Sequence, residues 1–582
     1  MTWGKRRALI IGLVVLFIVG LVWAASKPAR LASGSVLVID AEGEINEQRA
    51  ADFFDFLGEG RTPVLHDYVD AIDAARDDSR ISGIVVRVAP METGWGKLEE
   101  IRTHLLAFRK SGKPSICYLG YDGVGNPEYY LASACQQIWL VPTAPVNIRG
   151  MMAEALFVRG TLDKLKIVPE YYHIAEYKTA ANMFTEKKFT AAHREEVTSL
   201  LHAVYSQYLT DAAAARGIER EKFEAIVKQG PLSTSDAVEN KIVDRVGYWD
   251  QVQGYFRERA GDWSPVPLGR YRMFLKNLTG EKIAVVTASG LIVSGASQSS
   301  PGSGSTMGGD SVAADLRRAR TDSGIKAIVL RVDSGGGSVV GSEVIRREVE
   351  LASGVKPVVV SMSDVAASGG YWIATPANKI VADPNTITGS IGVLIGKWNI
   401  SGLYSLLGLS TDSVTTSDNA TFFSAQQNFT PAQRAYIEKS IKQTYDDFTK
   451  GVAKGRNMSV EAVDKIGKGR VWSGTQAKEI GLVDELGGLD RAVEVAKQLA
   501  HIPAGQQVRI VRLPEEKSFL EQLFERERDQ MTEGRAAGVR SMDARAMDSR
   551  PLDAHSLDAT LRRIVEAMEP VQAIVPFELH IR

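Results

Sequence analysis

The chain has two cysteines in 582 residues, no histidine between His202 and His501, one long apolar run and almost no net charge. Each scarcity excludes a class of protein. Cys117 and Cys135 cannot supply a disulfide framework or a four-ligand zinc site. They read as buried apolar residues, with one disulfide open to them in an oxidising compartment. With 69 basic against 70 acidic side chains, the chain lacks the positive surplus of a nucleic-acid binder. At 24% charged and 44% hydrophobic residues it fits neither a disordered chain nor a polytopic membrane protein. Its length predicts roughly four domains of about 150 residues each.

The one long apolar run is Ala8 to Ala25, directly after Lys5, Arg6 and Arg7. Its 18 uncharged residues just suffice to cross a hydrocarbon core of about 30 Å. Only Lys27 and Arg30 follow closely, so the charge bias places the N-terminus in the cytoplasm and the rest across the membrane. A cleaved signal peptide is the competing reading, because Ala24, Ala25 and Ser26 are small. The run exceeds a signal core of about 7–15 residues, which favours an anchor over residues 1–34.

The soluble remainder contains an internal repeat. Ile84-Val-Val-Arg-Val88 recurs as Ile328-Val-Leu-Arg-Val332, an offset of 244, and Tyr129-Tyr-Leu-Ala132 recurs as Tyr371-Trp-Ile-Ala374, an offset of 242. The Phe-Thr pair at Thr190 and Thr430, and the Val-Asp pair at Asp244 and Asp484, stand 240 apart. Collinear, slowly drifting offsets mark a tandem duplication, with copies expected at 35–266 and 275–500 and an extension at 501–582. In the second copy Ile283–Val286, Ile328–Val332, Pro357–Ser361 and Lys379–Ala382 read as strands. Ser311–Arg320 and Val340–Leu351 carry helical spacing, and helix-rich stretches Ala191–Arg216 and Pro431–Arg456 close the two copies. The alternation predicts an α/β fold with largely parallel strands. Ser294–Asp310, rich in Gly and Ser, reads as a mobile loop. The tail after about 513 reads as charged, with two short helices and no chemistry.

What differs between the copies points to function. Asp333-Ser-Gly-Gly-Gly-Ser-Val339 stands between a strand and a helix where the first copy has Ala89-Pro-Met-Glu92. Such glycines bring backbone N–H groups close to an anion. The Gly-Lys-Ser/Thr ending of a phosphate loop is missing. Asp364-Val-Ala-Ala-Ser-Gly-Gly-Tyr371 puts Ser368 at a helix start where the first copy has Asn126. A helix-capping serine is the plain alternative; as a nucleophile, Ser368 would have the helix N-terminus for a developing oxyanion. No histidine lies in the second copy to act as base. A lysine serves if burial lowers its pKa from about 10.4 toward 7. Lys178 stands where the second copy has Asp418, though Lys164, Lys166, Lys187 and Lys188 are neighbours.

With these motifs the chain resembles the signal peptide peptidase A family in its long, duplicated form: membrane-anchored Ser/Lys peptidases of Clp/crotonase-like fold. The resemblance runs from the anchor through both repeats, and less clearly into the tail. The Ala-Ala-Ser-Gly-Gly-Tyr motif at Ala366–Tyr371 implies Ser368 as nucleophile, and Tyr177-Lys178-Thr179-Ala180 implies Lys178 as base. The Thr-Gly-Ser-Ile-Gly motif at Thr388–Gly392 implies that Ser390 hydrogen-bonds the lysine. The oxyanion pocket maps to Gly336 and Gly369. Asp333 and Gly335 depart from the family's common Asn and Pro, and losing Pro loosens the loop. The resemblance further implies apolar peptide substrates such as signal peptides, no metal or nucleotide cofactor, a homotetramer, and a body on the periplasmic side of a bacterial inner membrane. A general envelope quality-control protease, a catalytically silent scaffold and an acyl-CoA enzyme of crotonase type are the other readings.

Overall fold

Short β-branched runs become the strands of two equivalent parallel sheets. The computed structural model describes residues 31–49, 62–122, 124–275, 279–300, 304–515, 571–574 and 580–581. The expected anchor lies outside the described residues, among which no helix is long and apolar enough to cross a membrane. The first sheet runs, in spatial order, Arg245–Val246, Gln137–Leu140, Ser115–Leu119, Ile81–Met91, Ser35–Gly43, Pro265–Pro267, with every pairing parallel. Parallel neighbours need crossovers, supplied here by helices such as Leu65–Asp77 and Trp95–Arg109. Both faces are buried, as such sheets require. Leu37, Ile84, Val86 and Cys117 point into one core, while Val36, Val85, Ile116 and Trp139 pack with Val252 and Phe256 in another. Cys117 and Cys135 are both buried free thiols.

The second sheet repeats that order with parallel pairings, Glu485–Leu486, Lys379–Ala382, Val358–Ala367, Ile325–Ser334, Glu281–Ser289, Val508–Leu513, and adds a branch in which Ile387–Gly389 pairs parallel with Val358–Ala367 and antiparallel with Val471–Ser473. Its strands contain the four expected runs apart from Pro357, and helices Gly309–Thr321 and Val339–Ser353 contain the two expected helices. Ala191–Arg216 and Pro431–Arg456 are single helices over the expected bounds. Side-chain bonds repeat as well. Tyr129 Oη donates to the Ile242 carbonyl at 3.2 Å, and Tyr371 Oη to that of Leu482 at 2.8 Å. Asp244 accepts from the Ile138 amide at 2.7 Å, and Asp484 from the Ile380 amide at 2.8 Å.

Two sequence expectations need correction. Val508–Leu513 occupies the position of Pro265–Pro267, so the second sheet reaches beyond residue 500. Arg509 and Arg512 interrupt its apolar residues, so it lacks the continuous apolar run of the inner strands. The Gly/Ser segment 294–310 is not simply a loop: Gln298–Ser300 and Gly304–Gly308 pair antiparallel, and the latter adds to Leu291–Val293. Gly308 is needed for close packing, since a Cβ there would lie 2.2 Å from the Ala296 carbonyl carbon.

A third, composite sheet joins the units. It runs Gln298–Ser300, Gly304–Gly308, Leu291–Val293, Gly336–Ser338, Val571–Ile574, Leu394–Asn399, Val168–His173. Its last strand comes from the first unit and pairs antiparallel with Leu394–Asn399. Its fifth comes from the tail, most of which lies outside the described residues.

Candidate active site

Ser368 stands where a strand of the second unit runs on past the length of its counterpart. The Ser115–Leu119 strand stops after five residues, whereas Val358–Ala367 has ten. Its first half pairs with Lys379–Ala382 and its last three residues with Ile387–Gly389. The chain then turns sharply into the helix Gly369–Ala374, with Ser368 at φ 53° and ψ −116°, a region that non-glycine residues rarely occupy. The Ser368 amide donates to the Gly389 carbonyl at 2.9 Å, and the Trp372 amide to the Ser368 carbonyl at 2.8 Å, holding the turn. The following glycines are steric necessities. A Cβ at Gly370 would lie 2.4 Å from the Ser334 carbonyl oxygen, and one at Gly369 2.6 Å from Ser342 Oγ. The counterpart Asn126 instead accepts from the Arg149 amide at 3.0 Å, a structural task.

Lys178 arrives from the first unit. Antiparallel pairing of Val168–His173 with Leu394–Asn399 lays the next turn on the second unit, where the Tyr177 amide donates to the Lys468 carbonyl at 3.2 Å. Gly469, at φ +84°, leaves room for it: a Cβ there would lie 2.4 Å from the Lys178 amide nitrogen. The Lys178 side chain is fully buried. Its Nζ lies 2.7 Å from Ser368 Oγ, 3.0 Å from Ser390 Oγ and 3.3 Å from the Ser390 carbonyl oxygen. Ser390, at φ 49°, is fixed by its amide donating to the Arg470 carbonyl at 2.7 Å. The geometry thus brings together Ser368, Lys178 and Ser390. Asp418, the counterpart of Lys178, lies in an exposed turn.

Burial pushes the Lys178 ammonium down to about 7, opposed by the charge of Glu196. Glu196 is buried and pushed up to about 8 by that burial. It accepts from Thr179 Oγ1 at 3.2 Å and from the Val471 amide at 3.0 Å, clasping the lysine turn to the second unit. Sequence reasoning missed this residue, because Glu195-Glu196 looks like a solvated helix face. The signal was present: Glu196 falls on the buried stripe with His193, Val197, Leu200 and Val204, where an acid is out of place.

The glycine loop touches the serine turn. Gly336 has φ 102° and Gly337 φ 149°, conformations that disfavour side chains. A Cβ at Gly369 would lie 3.1 Å from Gly336 Cα and 3.2 Å from the Gly337 nitrogen. The Gly336 amide donates to Ser334 Oγ at 3.1 Å, so it is already engaged. The start of the next helix is capped by Ser338, whose Oγ accepts from the Gly341 amide at 3.2 Å. Strands Gly336–Ser338 and Leu394–Asn399 flank a slot one strand wide. Val571–Ile574 lies in it, antiparallel to both.

A buried serine hydroxyl against a lysine poised near neutrality, beside glycine-lined backbone, suits acyl transfer. The model of peptidase family S49 matches residues 107–261 and 350–503, together more than half of the chain. The chain belongs to peptidase family S49. One matched segment contains Lys178 and the other Ser368 and Ser390. The chloroplastic serine protease SPPA of Arabidopsis thaliana is 34% identical to this S49 chain over 497 residues, 83% of this chain and 72% of that one. Protease 4 of Salmonella typhi is 37% identical over 456 residues, 75% and 72% of the two chains. Protease 4 of Haemophilus influenzae is 32% identical over 519 residues, 84% and 83%. A solved structure of a ClpP1 mutant from Listeria monocytogenes matches 32% of this chain and 86% of its own, with 17% identity and a TM-score of 0.23. This S49 member is a serine peptidase with a mixed α/β fold. Away from Ser368, the His104 ring lies between Asp73 of its own unit, at 3.1 Å, and Asp490 of the other, at 3.6 Å. Opposite ring nitrogens face the two carboxylates, an arrangement suited to an imidazolium ion pair rather than to one shared metal ion.

Proposed function

We propose that the chain is a membrane-anchored endopeptidase of Clp/crotonase-like construction that cleaves apolar peptides, signal peptides among them, with a Ser368/Lys178 dyad. The observation that carries this is the fully buried Lys178 Nζ 2.7 Å from Ser368 Oγ. Neutral Lys178 takes the Ser368 proton as Oγ bonds to the substrate carbonyl carbon. Lys178 then returns that proton to the departing amine as the C–N bond breaks, and water resolves the acyl-enzyme by the same exchange. Ser390 orients the lysine. Gly369 offers the amide of the first helical residue, which has no partner within its helix, and Gly336 offers the other donor after releasing Ser334 Oγ. An extended substrate adds as a strand in the slot that Val571–Ile574 fills, the common mode of peptide capture at a sheet edge.

The reading includes an anchor at Ala8–Ala25, a body on the periplasmic side of a bacterial inner membrane, and a homotetramer. Protease added to the periplasmic face of spheroplasts is expected to digest the body, and full protection would overturn that orientation. The test of the chemistry is labelling by a fluorophosphonate probe. Adduct at Ser368, lost in Ser368→Ala and strongly slowed in Lys178→Ala, is expected; no adduct at Ser368 would refute the dyad.

The pH dependence follows from the sign of the shift. A lysine lowered to about 7 by burial is protonated below that value and competent above it, so kcat/KM rises with pH through a midpoint near 7. Glu196, itself pushed up to about 8 by burial, is largely in its neutral form at that midpoint. Glu196→Gln is therefore expected to leave the acid limb of the profile close to its wild-type position. A large shift in either direction would contradict this.

A further inference from the structure

The two loops that meet at Ser368 are rooted on a single cation from the other unit. Lys97 lies in the first turn of the helix Trp95–Arg109, and its side chain is only 6% exposed. Its Nζ lies 2.7 Å from Asp333 Oδ2 and 3.0 Å from Asp364 Oδ2. Asp333 starts the glycine loop, three residues before Gly336. Asp364 leads into the serine turn, four residues before Ser368. The backbone extends the clasp: the Lys97 amide donates to Asp364 Oδ1 at 2.8 Å, and the Val365 amide to Asp333 Oδ1 at 3.2 Å. A Cβ at Gly94 would stand 2.2 Å from the Asp364 carboxyl carbon, so a side chain there would displace that carboxylate. The helix start is thus pressed directly on that carboxylate. Without the cation, two largely buried carboxylates would face each other at the roots of both loops, and like charges at such range repel strongly in a poorly solvated site.

We propose that Lys97 is a positioning residue, which fixes the spacing between the Ser368 hydroxyl and the glycine-loop backbone by tying Asp333 and Asp364 together. An asparagine at 333 could accept from the Val365 amide without a compensating cation, whereas aspartate needs Lys97. Lys97 touches neither substrate nor the reacting atoms, so its effect falls on kcat rather than KM.

The proposal rests on the Ser368/Lys178 reading, and one series separates the two. Full-length wild type, Ser368→Ala, Lys97→Met, Asp333→Asn and the double variant Lys97→Met/Asp333→Asn are compared on an apolar fluorogenic peptide, with thermal midpoints recorded. Lys97→Gln, which keeps a donor in place, substitutes if Lys97→Met does not fold. A misplacement of about 1 Å at a reacting centre costs up to about 100-fold, so Lys97→Met is expected to lower kcat roughly 10- to 100-fold with KM and the pH midpoint unchanged. The double variant should regain most of that loss, because removing one carboxylate removes the repulsion. A folded Lys97 variant with wild-type kcat, or a double variant no better than the single, overturns the proposal while Ser368→Ala remains inactive. An active Ser368→Ala overturns the dyad reading itself.

Discussion

Ser368→Ala and Lys178→Ala are each expected to lower peptide hydrolysis by roughly 10³- to 10⁶-fold, the range found when one member of a serine nucleophile–base set is removed. The double variant should be no worse than the weaker single, because in the proposed dyad the two side chains act in one step and their effects would not add. Ser368→Ala removes one oxygen and keeps the backbone bonds to Gly389 and from Trp372, so its thermal midpoint should stay close to wild type. Lys178→Ala opens space beside Gly392 and Gly469 and is expected to cost some stability. Initial rates on a fluorogenic apolar peptide, with thermal unfolding of each variant, check both statements. A Ser368→Ala protein with more than about a tenth of wild-type activity would refute the assignment.

Arg331→Ala is expected to destabilise the protein by about 3–5 kcal/mol, because it leaves buried carboxylates without their cation. The Arg331 side chain is 1% exposed, and Glu47 and Glu100 of the first unit are 6% and 3% exposed. The guanidinium lies 2.8 Å from Glu47 and 2.7 Å from Glu100, and also donates to Ser361 at 2.9 Å and Ser363 at 3.1 Å on the strand that leads to Ser368. Burial alone would raise the Glu47 carboxyl, but the charge and hydrogen bond of Arg331 and the charge of Lys97 hold it down at about 2. Once Arg331 is gone, burial is opposed at Glu47 mainly by the charge of Lys97, and its carboxyl moves up toward and above its unfolded value. Stability of the variant should then rise as pH falls toward 5, the opposite of the usual carboxylate behaviour. Thermal unfolding across pH is the measurement. A drop in midpoint of under about 2 °C, which for a unit of this size means less than about 1 kcal/mol, would show that Arg331 is dispensable. Adding Glu47→Gln and Glu100→Gln should recover part of the loss.

Much of this architecture was legible from repetition. Offsets of 240 to 244 predicted two copies of one unit, and the two sheets share one strand order because the same β-branched runs recur in the same sequence of crossovers. The strand-to-helix turn at Ser368 was legible from its glycines, which have no room for a side chain. Less legible were elements defined by their neighbours. Val508–Leu513 lies beyond the expected end of the second copy at 500, because Arg509 and Arg512 break up the apolar run by which a strand is read. Glu196 reads as surface because nothing local says that Val471 and Thr179 will cover it.

Arg87 and Arg331 show where the division lies. They occupy the same place in the repeated motif, Ile-Val-Val-Arg-Val and Ile-Val-Leu-Arg-Val, and the sequence treats them alike. The structure leaves Arg87 33% exposed in an ion pair with Asp40 and buries Arg331 against the other unit. Lys97 and Lys178 are likewise ordinary lysines along the chain. One is held charged between Asp333 and Asp364, and the other is driven toward neutrality by burial in a site where Glu196 is itself pushed toward its neutral form. The sequence by itself determined the duplication, the alternation of parallel strands with helices and the serine on its glycine turn, because these follow from local periodicity and sterics. Tertiary structure decided which cations are buried and what faces them, because desolvation and charge pairing depend on groups that lie far apart along the chain.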